Sequence, residues 1–254
     1  FEHVPRDFLK NPKSKNPAYI LDIARRGGFT GIVLHAGIAE NYQSVISDSD
    51  VPLILKLNGK SELYTEDDPY SPQLYSVEDA VALGATAIGY TVYTGSKYEC
   101  KMQQDFARII REAHSRDIPA IGWMYPRGKS IFDRKSASKT FKMALEEQEH
   151  TSLAIDETAA IVAYGARIGM EMGADIVKIK YTGSVESFRH VVESTSPTKV
   201  VMSGGPMMKT DEDFVGRVKD ILAAGAVGIA VGRNVWQREE PMAISDKIHR
   251  VLFG

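Results

Sequence analysis

A chain of 254 residues, 43% hydrophobic and 25% charged, holds enough apolar material for one large α/β domain or two smaller ones, which excludes a disordered protein and a bare fibrous repeat. Lys and Arg number 31 against 33 Asp and Glu; this balance gives no bulk attraction to nucleic acid or anionic lipid, so any phosphate recognition is local. Apolar stretches such as 51–57 and 226–231 fall far short of the ~18–20 residues of a membrane helix, and a single cysteine, Cys100, with no N-x-S/T sequon points to a soluble cytoplasmic protein.

From a loop-like opening over 1–16, short β-branched runs alternate with amphipathic stretches to the end of the chain, the pattern of parallel strands joined by crossover helices. In chain order the first helix falls at 17–26, followed by strand 31–35, helix 39–46, strand 52–57, helix 77–83 and strand 87–93. Helix 101–115, strand 120–124, helix 158–172, strand 176–181 and helix 187–193 come next. Strand 199–202, helix 211–224, strand 227–231 and helix 242–252 complete the chain. Every helix of a (β/α)8 barrel follows a strand, so eight helices against seven strands leave the first helix without its strand. The chain begins with Phe1 and not Met, and the expectation is a single barrel domain over 1–254 whose first strand lies upstream of Phe1. Two connections exceed the usual βα loop length. Residues 58–76 carry Glu62, Glu66, Asp67 and Asp68 and read as a solvated loop. Residues 128–157, with a charged helical piece at 139–150, lie after a strand on the rim where barrel active sites are built; a lid, a subunit contact and a plain surface excursion are all open there.

The best-defined chemistry sits in the strand 176–181. Side chains alternate along a strand, so Ile176, Lys178 and Lys180 share one face and Val177, Ile179 and Tyr181 the other. The apolar set faces the helices, which turns both lysines into the barrel, where crowding of like charges favours a free, nucleophilic amine. The competing reading is a pair of lysines that anchor phosphate or carboxylates. The strand 120–124 runs on into Trp123, Tyr125 and Arg127, an aromatic wall with a phenol for proton transfer and a guanidinium suited to a phosphate. Gly128-Lys129-Ser130 is not a nucleotide P-loop, because the glycine required five positions earlier would fall on Trp123. Ser203-Gly204-Gly205 and Gly232-Arg233 follow the last two strands; glycines there let backbone N–H groups close on a phosphate. Lys56 and Asn58 share a face of strand 52–57 and read as inward polar residues. The six histidines lack the spacing of a metal site.

The runs 53–59, 89–93, 123–128, 177–183, 202–206 and 232–237 resemble archaeal-type class I fructose-1,6-bisphosphate aldolase along nearly the whole chain, with 128–157 the least familiar part. The resemblance implies a (β/α)8 barrel whose sixth strand carries the Schiff-base lysine, the first of the pair, Lys178. It implies Tyr125 as the proton-shuttling tyrosine, Trp123 and Arg127 near the sugar, and Lys180, Ser203, Gly204, Gly205, Gly232 and Arg233 in substrate binding. No metal or other cofactor is implied, only the covalent imine with Lys178. The substrate implied is a phosphosugar of glycolysis and gluconeogenesis, and the assembly a homo-oligomer such as a decamer. The family's strand-one aspartate, which precedes a Glu-His pair like Glu2-His3, has no counterpart in these 254 residues. The expected reaction is reversible cleavage of fructose 1,6-bisphosphate to dihydroxyacetone phosphate and glyceraldehyde 3-phosphate. Two alternatives stand beside it: a sister aldolase that makes an amino-dideoxy-heptulosonate, and a phosphosugar-binding barrel without turnover.

Overall fold

Seven parallel strands form one sheet in strict chain order: β1 Ile32–Leu34, β2 Leu53–Lys56, β3 Ala87–Thr94, β4 Ala120–Pro126, β5 Ile176–Ile179, β6 Lys199–Ser203 and β7 Gly228–Ala230. The structure is a computed structural model that describes residues 11–61, 63, 67–132 and 138–254. Neighbouring strands alternate with helices that pack on one side, and the sheet curls into a partial barrel, the α/β TIM-like class expected from the alternation. Each expected strand is present within a few residues of its expected ends. Glu2 and His3, and Glu62 and Glu66 of the long connection, lie outside the described residues.

The alternation of side chains settles which face is which. On β5 and β6 the outward Val177, Ile179, Val200 and Met202 are fully buried beneath helices, whereas the inward Ile176, Lys178, Val201 and Ser203 keep partial exposure. Burial of the outer face therefore fixes the register, since a shift by one residue would turn the lysine into the helix layer. The helix Ala159–Glu171 approaches unusually closely because Gly169 faces the sheet. A β-carbon there would stand 2.8 Å from Val177 Cγ1 and 2.9 Å from Met124 Cγ. On the outer face of β3, Tyr90 stacks on Phe106 of the helix Glu99–His114 with ring centres 5.5 Å apart.

Several expected boundaries move for identifiable reasons. The helix expected over 39–46 is two short ones, Ala36–Asn41 and Gln43–Ser47. The strand expected over 176–181 stops at Ile179, where its last pairing with β6, to Met202, is made. Lys180 and Tyr181 therefore lie just past the strand, on the rim. Tyr181 still points outward, donating to Asp220 at 3.2 Å, and burial pushes its phenol up to about 12.

The two long connections are more organised than their charge suggested. In the first, expected to be solvated, Ser71 is buried and Asn58 bridges to Gln73. Asp68 accepts from the backbone N–H of Lys97 and of Lys129, and Ser96 Oγ donates to the Pro69 carbonyl at 2.8 Å. These bonds tie the connection across the rims of β3 and β4. The second packs a small core against the helix that follows it, with Ile131, Phe141, Ala144 and Ile155 meeting Ile161 of the helix Ala159–Glu171. Its helix Lys139–Glu149 supplies Glu147, whose carboxylate accepts from the N–H groups of Ala159 and Ala160 and so caps the following helix at its positive end.

Candidate active site

The carboxyl ends of the strands gather the expected residues at one rim, as the barrel architecture requires. Trp123 on β4 is in register with Lys178 on β5, and Lys178 Nζ lies 5.0 Å from the indole centre. Lys56 on β2 reaches the same indole, with Nζ 5.4 Å from its centre. Trp123 thus receives two lysine side chains, an arrangement an aromatic face favours for a protonated amine. Lys56 is almost wholly buried and donates to the carbonyl and side-chain oxygen of Asn58. Asn58 in turn donates to the Ser71 and Thr91 carbonyls at 2.9 Å each and accepts from the Thr91 N–H. The inward polar pair expected on β2 is a buried, hydrogen-bonded network.

Gly89 on β3 makes room for the indole. A β-carbon there would stand 2.2 Å from Cζ3 and 2.3 Å from Cη2 of Trp123. Sequence reading placed Gly89 only in a strand; nothing in one sequence shows that its missing side chain is occupied by a tryptophan two strand positions away in register. Gly89→Ala is expected to lower stability by about 1–3 kcal/mol, since a rigid ring inside a packed barrel cannot yield. Differential scanning fluorimetry and a shifted tryptophan emission spectrum would register the displaced ring.

Tyr125 is next along the inward face of β4. Its hydroxyl donates to Ser203 Oγ on β6 at 3.0 Å. The Arg127 guanidinium stands 5.8 Å from the rings of both Tyr93 and Tyr125, and its backbone N–H donates to the Thr94 carbonyl. Gly205 adopts φ +63°, a conformation that glycine alone takes without strain, and a β-carbon there would meet nothing within 4 Å. Gly204 is different: its β-carbon would press on Val231 Cα at 3.0 Å, so this glycine lets the loops after β6 and β7 touch. Gly232 precedes the short helix Arg233–Trp236.

Asn234, a residue to which the sequence alone assigns no role, binds the two loops together. It is fully buried. Its Nδ2 donates to the Gly204 carbonyl at 2.7 Å and to the Pro206 carbonyl at 2.8 Å, while Oδ1 accepts from the Met208 N–H at 2.8 Å. A buried amide that meets three backbone groups leaves those groups satisfied and the loop geometry fixed.

Lys180 follows the competing reading, a lysine paired with carboxylates. Like-charge crowding with Lys178 gives way to an ion pair: Lys180 Nζ donates to Asp156 and has Glu157 at 3.7 Å. Both carboxylates come from the turn Ile155–Glu157 at the end of the long connection after β4. Asp156 is itself buried. No sequence spacing relates it to Lys180, 24 positions away. Among the described residues no group of three or more His, Cys, Asp or Glu is placed to hold a metal ion, and no helix is long and apolar enough to cross a membrane.

Fold and rim together define the class as a β/α-barrel aldolase. The chain belongs to the DeoC/LacD family of aldolases, whose family model matches residues 3–238. It is similar to the class 1 fructose-bisphosphate aldolase of Thermoproteus tenax, 46% identical over 254 residues, which cover 100% of this chain and 86% of that protein. The class 1 fructose-bisphosphate aldolase of Halobacterium salinarum strain R1 is 38% identical over 252 residues, 99% of this chain and 86% of that one. Among solved structures, an archaeal fructose-1,6-bisphosphate aldolase with its catalytic lysine covalently bound to the carbinolamine intermediate of the substrate superposes with a TM-score of 0.85. That protein is 45% identical, and the match covers 100% of this chain and 90% of that chain.

Proposed function

We propose that the protein is a Schiff-base aldolase that reversibly cleaves fructose 1,6-bisphosphate to dihydroxyacetone phosphate and glyceraldehyde 3-phosphate. The observation that carries this reading is the juxtaposition on adjacent strands of Lys178 and Trp123, with Tyr125 two positions further along the same inward face. Lys178 Nζ attacks the C2 ketone, and the carbinolamine loses water to give a protonated imine. Its nitrogen accepts the electron pair released when the C3–C4 bond breaks, as the C4 hydroxyl gives up its proton and leaves as aldehyde. The enamine then takes a proton at C3, and hydrolysis frees the second triose phosphate. Tyr125 relays these protons, held in place by Ser203.

Trp123 forms the wall against which the sugar lies, and Arg127 meets the phosphate distal to the imine. Ser203, Gly204, Gly205, Gly232 and Arg233 hold the phosphate next to it. The open space at Gly205 and the fixed loops around Asn234 support that placement. Gly205→Ala is expected to raise KM for phosphorylated ketoses at least tenfold, about 1.4 kcal/mol of lost binding, while leaving the low activity on unphosphorylated fructose near its parental level. Equal losses on both substrates, tracking a lowered Tm, would place the phosphate elsewhere.

The imine nitrogen is the electron sink, so prolonged EDTA treatment is expected to leave cleavage undiminished; a loss restored by added metal would overturn the mechanism. The test of the function itself is borohydride reduction in the presence of dihydroxyacetone phosphate, followed by peptide mass spectrometry. An adduct on Lys178, together with triose phosphate release from fructose 1,6-bisphosphate, is the expected result. The lone exposed cysteine supports a cytoplasmic setting, and the exposed Phe132, Met143 and Tyr164 support assembly with further copies of the chain.

A further inference from the structure

Lys178 and Lys180 lie two positions apart, and nothing in their side chains tells one from the other. Both are long enough to reach a ketone held at the rim. Their surroundings differ. Lys178 emerges from β5 beside Trp123. Lys180, one residue past the end of the strand, turns to the Ile155–Glu157 turn, where it donates to Asp156 with Glu157 at 3.7 Å. That turn is held from below. Ile155 is buried in the small core that the long connection forms with the following helix, and Thr158 Oγ1 donates to the Ile155 carbonyl at 2.8 Å. The Glu147 carboxylate fixes the start of the next helix. Asp156 is therefore delivered to Lys180 on a rigid support, and the pair is largely screened from solvent, with side-chain exposures of 20% for the lysine and 11% for the aspartate.

We propose that Asp156 is a positioning residue that decides which of the two lysines forms the imine. It tethers Lys180 Nζ to the rim, away from the ketone, and so leaves attack to Lys178. The long connection after β4 is then part of the active site's selectivity and not a surface excursion. A charge-assisted bond of this kind at a partly desolvated site is among the stronger side-chain contacts, and attack by Lys180 would require it to break and leave the Asp156 carboxylate without its cation. The inference rests on the assignment of Lys178 as the imine-forming residue made above.

The experiment is borohydride trapping with dihydroxyacetone phosphate, the modified lysine being located by peptide mass spectrometry in four proteins. In each case the amine adds to the ketone, water leaves, and hydride from borohydride reduces the iminium carbon, so the adduct records which nitrogen attacked. The parental protein is expected to carry the adduct on Lys178, and Lys178→Ala to carry little or none. Adding Asp156→Ala and Glu157→Gln to Lys178→Ala is expected to raise the Lys180 adduct at least tenfold, and replacing Asp156→Ala by Asp156→Glu in that background to suppress it again. Asp156→Asn, closest in shape to the native side chain, replaces the alanine form if the latter does not fold, with the same expected direction.

Equal trapping at Lys180 with and without the carboxylates would overturn the proposal, as would a folded variant that lacks the carboxylates yet gains no adduct there. An adduct on Lys180 in the parental protein would overturn the assignment of Lys178 and this inference with it, so the two failures are told apart by which protein carries the label. A purely structural role for Asp156 would change yield and Tm without raising the label on Lys180.

Discussion

Lys178→Ala is expected to give a folded protein that traps no dihydroxyacetone phosphate and cleaves fructose 1,6-bisphosphate on the order of 10⁴-fold or more slowly than the parent, the scale seen when a covalent nucleophile is removed. The direction of the stability change separates this from simple damage. Lys178 faces the inside of the sheet beside an indole, and its neighbours Val177 and Ile179 hold the strand against the helices. Truncation removes an amine from a partly desolvated place, which offsets the lost contact with the indole, and leaves that outer packing intact, so Tm should change little. If Lys178 were instead an anchor for phosphate, its loss would raise KM and leave kcat nearly unchanged, because the interaction would be equal in ground and transition states. Steady-state kinetics combined with borohydride trapping distinguishes the two: a kcat within about tenfold of the parent, with an adduct still formed, would remove Lys178 from the nucleophile's place.

The residues that could be read from sequence are those whose signal is local. Alternation along 176–181 was enough to turn Lys178 inward, because the buried Val177 and Ile179 leave it no other face. Tyr125, Trp123 and Arg127 were legible for the same reason, as alternate positions on one strand and its extension. The end of β5 was not legible. Lys180 belongs to the same alternating pattern, and only the length of its neighbour's pairing decides that the ladder stops at Ile179. The environment of a side chain was also beyond reach wherever its partner is distant in sequence. Asp156 opposes Lys180, Gly89 yields to Trp123, and Asn234 fastens the loop at Gly204, 30 positions away. Composition misled at the first long connection. Its acidic residues suggested a solvated strip, yet Asp68 is used to hold two backbone N–H groups of neighbouring rim loops. A carboxylate that accepts from backbone donors has a structural use that its charge alone does not announce.

Tyr125→Phe removes one oxygen and leaves the ring, which makes it the sharper probe of the proton relay. The ring is buried, with the Arg127 guanidinium 5.8 Å from its centre, and phenylalanine keeps both, so packing is retained. The hydroxyl that disappears donates to Ser203 Oγ at 3.0 Å. Loss of one such bond costs about 0.5–1.5 kcal/mol of stability, and the serine hydroxyl can rotate to another partner, so the folded state should survive with a small fall in Tm. Catalysis should not survive so well. A positioned acid/base is worth roughly 10²–10⁴ in rate, and kcat is expected to fall by that factor with a much smaller change in KM, because the phenol acts on protons that move in the transition state and contributes little to holding the ground state. Ser203→Ala is the companion measurement. It keeps the phenol and removes an acceptor of its hydroxyl together with a phosphate contact that shows in KM, so its kcat should fall less than that of Tyr125→Phe if Ser203 merely orients the group. A Tyr125→Phe protein within about threefold of the parent would make Tyr125 a wall residue. A Ser203→Ala protein as impaired as Tyr125→Phe would make the pair, and not the phenol by itself, the unit that moves the proton.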